Sequence, residues 1–297
     1  MPAQTRIIHY YVCLGAAGGK ECEVIMEFIR SLKKHLFNTK YLIVLFVFLL
    51  LVYNSLFQEL NENVGLSIFF VRTASDISFL QNNLTRHYIN VLIITGPLLT
   101  MIACSSLYID DCEANMLGPI FSRIDKNKYH TYNIFTVFIL SFLLVFLPLA
   151  LGYLISLISN PMHLALDNSS GCPTFYIQEY GSNILLQWKA FSPVLFTFFH
   201  ITITSFFFSI FACLSYIVSM IINWNRYIPI VTVYSIYMLY NIVCIHFGHA
   251  QMSFFNIINA YSDKISVGSI LILLGILIIF TLMLFKITLR VVNKWQN

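Results

Sequence analysis

Val267–Phe285 reads VGSILILLGILIIFTLMLF, and no Asp, Glu, Lys or Arg falls anywhere between Lys264 and Lys286. A bilayer core of ~30 Å is crossed by about 20 apolar residues in helical form. The same pattern recurs five more times. Charge-free intervals run from Lys40 to Glu59, Arg86 to Asp110, Lys128 to Asp167, Lys189 to Arg226 and Arg226 to Asp263. The six hold 18, 23, 38, 36, 36 and 21 residues in chain order, so each has room for a span. Soluble cores do not run this long without a charge. The expected fold is an all-α integral membrane domain with six transmembrane helices. The spans fall near Tyr41–Phe57, Ile89–Ile109, Ile134–Ile158, Pro193–Ile222, Ile228–Phe247 and Val267–Phe285.

Composition agrees. Hydrophobic residues make up 58% of the 297, Phe alone numbers 27, and mean hydropathy is +0.78. No soluble domain hides that much apolar surface. The charges also orient the spans, because Lys and Arg concentrate on the cytoplasmic side. One side receives Arg6, Lys20, Arg30, Lys33, Lys34, Lys40, Arg123, Lys126, Lys128, Arg226, Lys286, Arg290 and Lys294. The other receives Arg72, Arg86, Lys189 and Lys264. The split is 13 to 4 of the 17 basic residues, which predicts both termini in the cytoplasm; the expected location is a bacterial plasma membrane. A basic inner face against anionic lipid accounts for the net charge of +4 without nucleic acid.

Residues 1–23 read as an N-terminal extension ahead of a permease domain over 24–297, and Met26 is a plausible alternative start. From Val24 onward Ile25, Phe28, Ile29, Leu32 and Leu36 recur at helical spacing, with Arg30, Lys33 and Lys34 on the other face. That pattern predicts an amphipathic helix lying along the inner membrane surface. Gly15 to Lys20 is no phosphate loop: only three residues separate Gly15 from Gly19, and Glu21 follows the Lys. The seven cysteines show no metal-binding spacing, although Cys172 and Cys244 both fall on the outer side and could pair. Tyr108, Tyr129, Tyr132 and Trp224 sit near span ends, where interfacial anchoring is expected.

The segment between the second and third spans reads YIDDCEANMLGPIFSRIDKNK over 108–128. Asp110, Asp111 and Glu113 precede Gly118-Pro119, where a tight turn is expected, and Arg123, Lys126 and Lys128 lead into the third span. Orientation alone needs only Lys and Arg, so the acidic cluster suggests docking onto another protein. The segment resembles the cytoplasmic coupling segment of ABC-2 type transporter permeases, with Glu113, Gly118, Ser122-Arg123 and Lys128 in the matching places. Pro119 and Ile120 depart from that pattern. The amphipathic N-terminal helix, six spans and the apolar stretch Ser253–Asn259 after the fifth span also resemble that family, whose members form short re-entrant helices there. The resemblance implies ATPase coupling through Asp111, Glu113, Gly118, Arg123 and Lys128. It implies two copies of an ABC ATPase subunit, a second permease subunit (identical or homologous) and surrounding lipid as partners. It implies no cofactor on this chain, with ATP and Mg on the ATPase subunits. It implies export of a hydrophobic or amphipathic cargo such as an antimicrobial peptide or drug.

Two other classes stay open at this level: an intramembrane enzyme, and a secondary transporter or channel. Both usually place titratable groups inside spans. The charge-free intervals leave the expected spans without Asp, Glu, Lys or Arg, and His200 is the imidazole well inside one. His200 and Thr204 in the fourth span, and Tyr234, Tyr237 and Asn241 in the fifth, fall on helical faces. They fit a substrate path, a subunit seam, or simple packing between helices.

Overall fold

The computed structural model describes residues 32–33, 35–65, 73–81, 85–122, 125–160, 188, 192–222, 225–259 and 266–295. Six helices among them are long and apolar enough to cross a membrane. In chain order the helices are α1 (Thr39–Asn63), α2 (Ala74–Ile77), α3 (Arg86–Cys104), α4 (Leu107–Glu113), α5 (Leu117–Phe121), α6 (Lys126–Ser159), α7 (Pro193–Ile221), α8 (Tyr227–His246), α9 (Phe254–Ile258) and α10 (Val267–Trp295). Spans 1 to 6 are α1, α3 with α4, α6, α7, α8 and α10.

Most helices outrun the expected spans. A charge ends an apolar run, but it does not end the backbone hydrogen-bond ladder, so Lys40, Glu59, Lys128 and Lys286 are all helical. This corrects one expectation. Glu59 lies inside the span 1 helix and is 1% exposed, so a carboxylate does enter the bundle near one end. Tyr108 and Tyr129 are also buried in the bundle rather than displayed at its rim. Trp224 lies outside the described residues, as do Cys172, Phe28 and Ile29. Leu32 and Leu36 pack against the core, and Lys33 is exposed.

Span 4 is the axis. In its most apolar window 83% of residues are buried, against 11% for span 6. It packs against spans 2, 3, 5 and 6, while span 1 lies against spans 2 and 3. The sequence of span 4 permits this because small residues let neighbouring backbones approach. Ser205, Ser209, Ala212, Cys213, Ser215 and Ser219 are all buried. Ser205 donates to the Ile201 carbonyl at 2.8 Å and Ser209 to the Ser205 carbonyl at 2.6 Å, so these hydroxyls are satisfied within their own helix. Phe207, Phe208 and Phe211 fill the space between. Gly96 of span 2 meets the Phe208 ring, and Gly152 of span 3 meets Val52 of span 1; a side chain at either glycine would overlap its neighbour.

Two short segments at the end opposite the span 4–5 connection fold back onto the bundle. Residues 74–81 bury Ala74, Ile77, Phe79 and Leu80, and Gln81 donates to Thr197 of span 4 at 2.7 Å. After span 5, a 3₁₀ turn (Ala250–Met252) and α9 bury Phe254, Ile257 and Ile258.

Candidate functional site

The span 2 helix breaks at Ser105-Ser106 and restarts as α4. The Ser105 hydroxyl donates to the Met101 carbonyl at 2.6 Å, and the Ser106 hydroxyl to Asp110 Oδ2 at 2.9 Å. Ser hydroxyls that satisfy local polar groups lower the cost of such a break. α4 stops at Asn115, whose φ of 53° is left-handed. The Asn115 N–H donates to the Cys112 carbonyl at 3.0 Å and the Met116 N–H to the Asp111 carbonyl at 3.1 Å. That is a Schellman stop, for which Asn is the best residue after Gly. The turn expected at Gly118 is therefore made by Asn115. Gly118 is helical, exposed and faces open space. Pro119 is accommodated because it sits in the first turn of α5, where a missing N–H breaks no helical bond.

α4 and α5 form a hook at the end of the bundle. Aromatic side chains seat it on spans 3 and 4. Tyr129 donates to Asp111 Oδ2 at 2.7 Å, and the Phe121 ring meets Tyr129 edge-on at 5.4 Å. Tyr108 lies 5.5 Å from the His130 ring, and His130 Nδ1 is 3.3 Å from the Tyr216 hydroxyl. Ion pairs tie the hook to two further spans. Arg226, at the start of span 5, hydrogen-bonds Glu113 and places Nη1 3.7 Å from Asp110 Oδ1. Lys40, in the first turn of span 1, places Nζ 3.5 Å from the same oxygen. The hydrogen bond to Glu113 holds the Arg226 guanidinium above its ordinary value, so it stays charged. These side chains are 26% to 56% exposed, which makes each pair worth about 0–1 kcal/mol and sensitive to salt. The outward side of the hook exposes Glu113, Ala114, Asn115, Met116, Gly118 and Pro119.

Of the expected coupling residues, Asp111 and Glu113 are held by Tyr129 and Arg226 of the same chain. Lys128 is exposed in the first turn of α6, and Arg123 lies outside the described residues. Lys40, Asn115 and Arg226 are the residues sequence reasoning missed. Arg226 is the single charge over residues 190–262, and that isolation is the signal that could have found it.

The second group of candidates does not converge. His200 is buried between the rings of Phe196 and Phe199, at 4.5 and 6.0 Å, and Thr204 is buried one turn on. Tyr237 instead packs against Phe211, 5.0 Å between centroids. Phe211 is eleven residues from His200, about 16 Å along the same helix. Tyr237 donates to the Ile93 carbonyl at 2.8 Å and Tyr234 to the Ile94 carbonyl at 3.2 Å. Pro97, four residues after Ile93, has no N–H to give that carbonyl. Tyr237 thus replaces the hydrogen bond that the proline removes from span 2. Asn241 acts one turn further along span 5. Its Oδ1 accepts from the Ser253 hydroxyl at 2.9 Å and the Phe255 N–H at 3.3 Å, pinning the start of α9. The void beside Tyr153, lined also by Ser78, Leu149, Thr197 and Ile201, is too small for a water molecule. Tyr234, Tyr237 and Asn241 hold helices together in this conformation.

Fold and site define a polytopic α-helical membrane protein with a charged hook at one end of its bundle. No protein-family model, curated protein or solved structure matches the chain.

Proposed function

We propose that this chain is the membrane-spanning subunit of an ATP-driven exporter of the ABC-2 kind. The hook is the observation that carries this reading. It lies at the end of the bundle, exposes an apolar side chain at Met116, and is fixed to spans 1, 3, 4 and 5 by the contacts above. A partner pushing on it would move those helices together. The positive-residue split of 13 to 4 supports a reading with this end, and both termini, in the cytoplasm. The amphipathic sequence pattern over 24–37 suits an inner leaflet on that side. Two ATPase subunits with their ATP and Mg would dock at the hooks of two permease subunits, and the cargo would be a hydrophobic or amphipathic molecule.

The experiment is purification of the full chain from its native membrane in mild detergent, followed by native mass measurement. Two permease subunits with two ATPase subunits are expected, and Met116→Asp should release the ATPases while the permeases stay paired. A particle without any ATPase, active in transport, would refute the reading.

A further inference from the structure

The span 4–5 connection carries one charge, and that charge turns back onto the hook. Arg226 reaches two carboxylates of α4, Asp110 and Glu113, and Asp110 is shared with Lys40 of span 1. Positive charge at a cytoplasmic span end serves orientation without any carboxylate partner. Asp110 and Glu113 lie three residues apart on α4, so one face presents both to the same guanidinium. Among the described residues, the ion pairs at this end join spans 1, 2 and 5. Spans 2 and 5 make other direct contacts deeper down, where Tyr234 and Tyr237 reach Ile94 and Ile93. Two attachments therefore hold span 5 to span 2: a neutral one at depth, insensitive to salt, and a water-accessible ionic one at the hook.

We propose that Arg226 is an ionic latch that closes the inner end of the bundle by holding the hook to span 5. Its pairs are partly solvated, so modest force or competing ions undo them, while the Tyr237 contact stays as the pivot. The latch itself stands on the bundle's geometry; its use in transport rests on the permease reading above. In that setting, a partner that draws Glu113 away from Arg226 frees the start of span 5 from the hook.

Hydrogen–deuterium exchange of the full chain in lipid nanodiscs, without any ATPase, tests this. Arg226→Ala should speed exchange over 107–122 and 227–232 about fivefold to tenfold, the response to losing two solvent-screened pairs. Glu113→Gln should give part of that effect, and adding it to Arg226→Ala should do no more than Arg226→Ala alone, because Arg226→Ala already removes the Glu113 contact. High salt should reproduce the effect in the unchanged protein, and Arg226→Lys should largely restore protection. Amides of 205–216 at the bundle axis should stay protected throughout. If they lose protection in Arg226→Ala, Glu113→Gln decides. Unchanged exchange over 107–122, or additive effects, would overturn the latch. That failure would leave ATPase capture at Met116 untouched, and a missing ATPase would leave the exchange result untouched.

Discussion

Tyr237→Phe removes one oxygen and leaves the ring. Its hydroxyl sits 2.8 Å from the Ile93 carbonyl, in a site where Tyr237 is 1% exposed, so no bulk water replaces it. Pro97 cannot supply the ordinary helical donor. A buried acceptor left without its partner costs about 1–3 kcal/mol. Hydrogen bonds between membrane helices average lower, about 0.6 kcal/mol with a ceiling near 1.7, because the unfolded chain in the bilayer finds other partners. A carbonyl that has lost its own helical donor belongs in the upper part of that range, so about 1 to 1.7 kcal/mol is expected. The double-mutant cycle isolates the cause. Pro97→Ala restores an N–H facing Ile93, and in that background Tyr237→Phe should cost less by about 1 kcal/mol. Reversible unfolding by steric trapping in bicelles reads each free energy. Equal cost of Tyr237→Phe with and without Pro97 would show that the tyrosine does not stand in for the missing bond of span 2.

Gly96→Ala should destabilise by about 1–3 kcal/mol in the same assay, because its new methyl overlaps the fully buried Phe208 ring. Gly118→Ala should be neutral or stabilise by up to about 1 kcal/mol, since Gly118 is helical and faces open space. For topology, a cysteine at Val64, 78% exposed past the end of span 1, should react with an impermeant reagent from outside intact cells. A cysteine at Asp125 should react only after the membrane is opened, and the opposite pattern would invert the assignment of the hook to the cytoplasm.

The six spans were legible because the signal is local and one-dimensional. A run such as Val267–Phe285 is long enough, apolar enough and charge-free enough to demand a membrane whatever its neighbours do. Helix ends were less legible, since a charge such as Lys40 or Lys286 leaves the apolar layer while the backbone ladder continues. The acidic segment after span 2 was visible as an unusual loop, because orientation gives no reason for Asp110, Asp111 and Glu113. Its geometry was not. Gly118 is the residue of that segment freest to turn, yet the left-handed position is Asn115, fixed by where α4 ends.

Pairing across the chain was decided by tertiary structure alone. Arg226 and Glu113 are 113 residues apart in sequence, and Tyr237 and Ile93 are 144 apart. No periodicity encodes such distances; they follow from span 4 taking the centre and bringing spans 2 and 5 together against it. The same packing buried Glu59 and turned Tyr234, Tyr237 and Asn241 from a polar stripe into donors and acceptors for neighbouring segments. Hydrophobic length fixes which segments enter the membrane. Only the packed bundle fixes which carbonyl lacks a donor and which carboxylate meets a guanidinium, because each is set by which helices become neighbours.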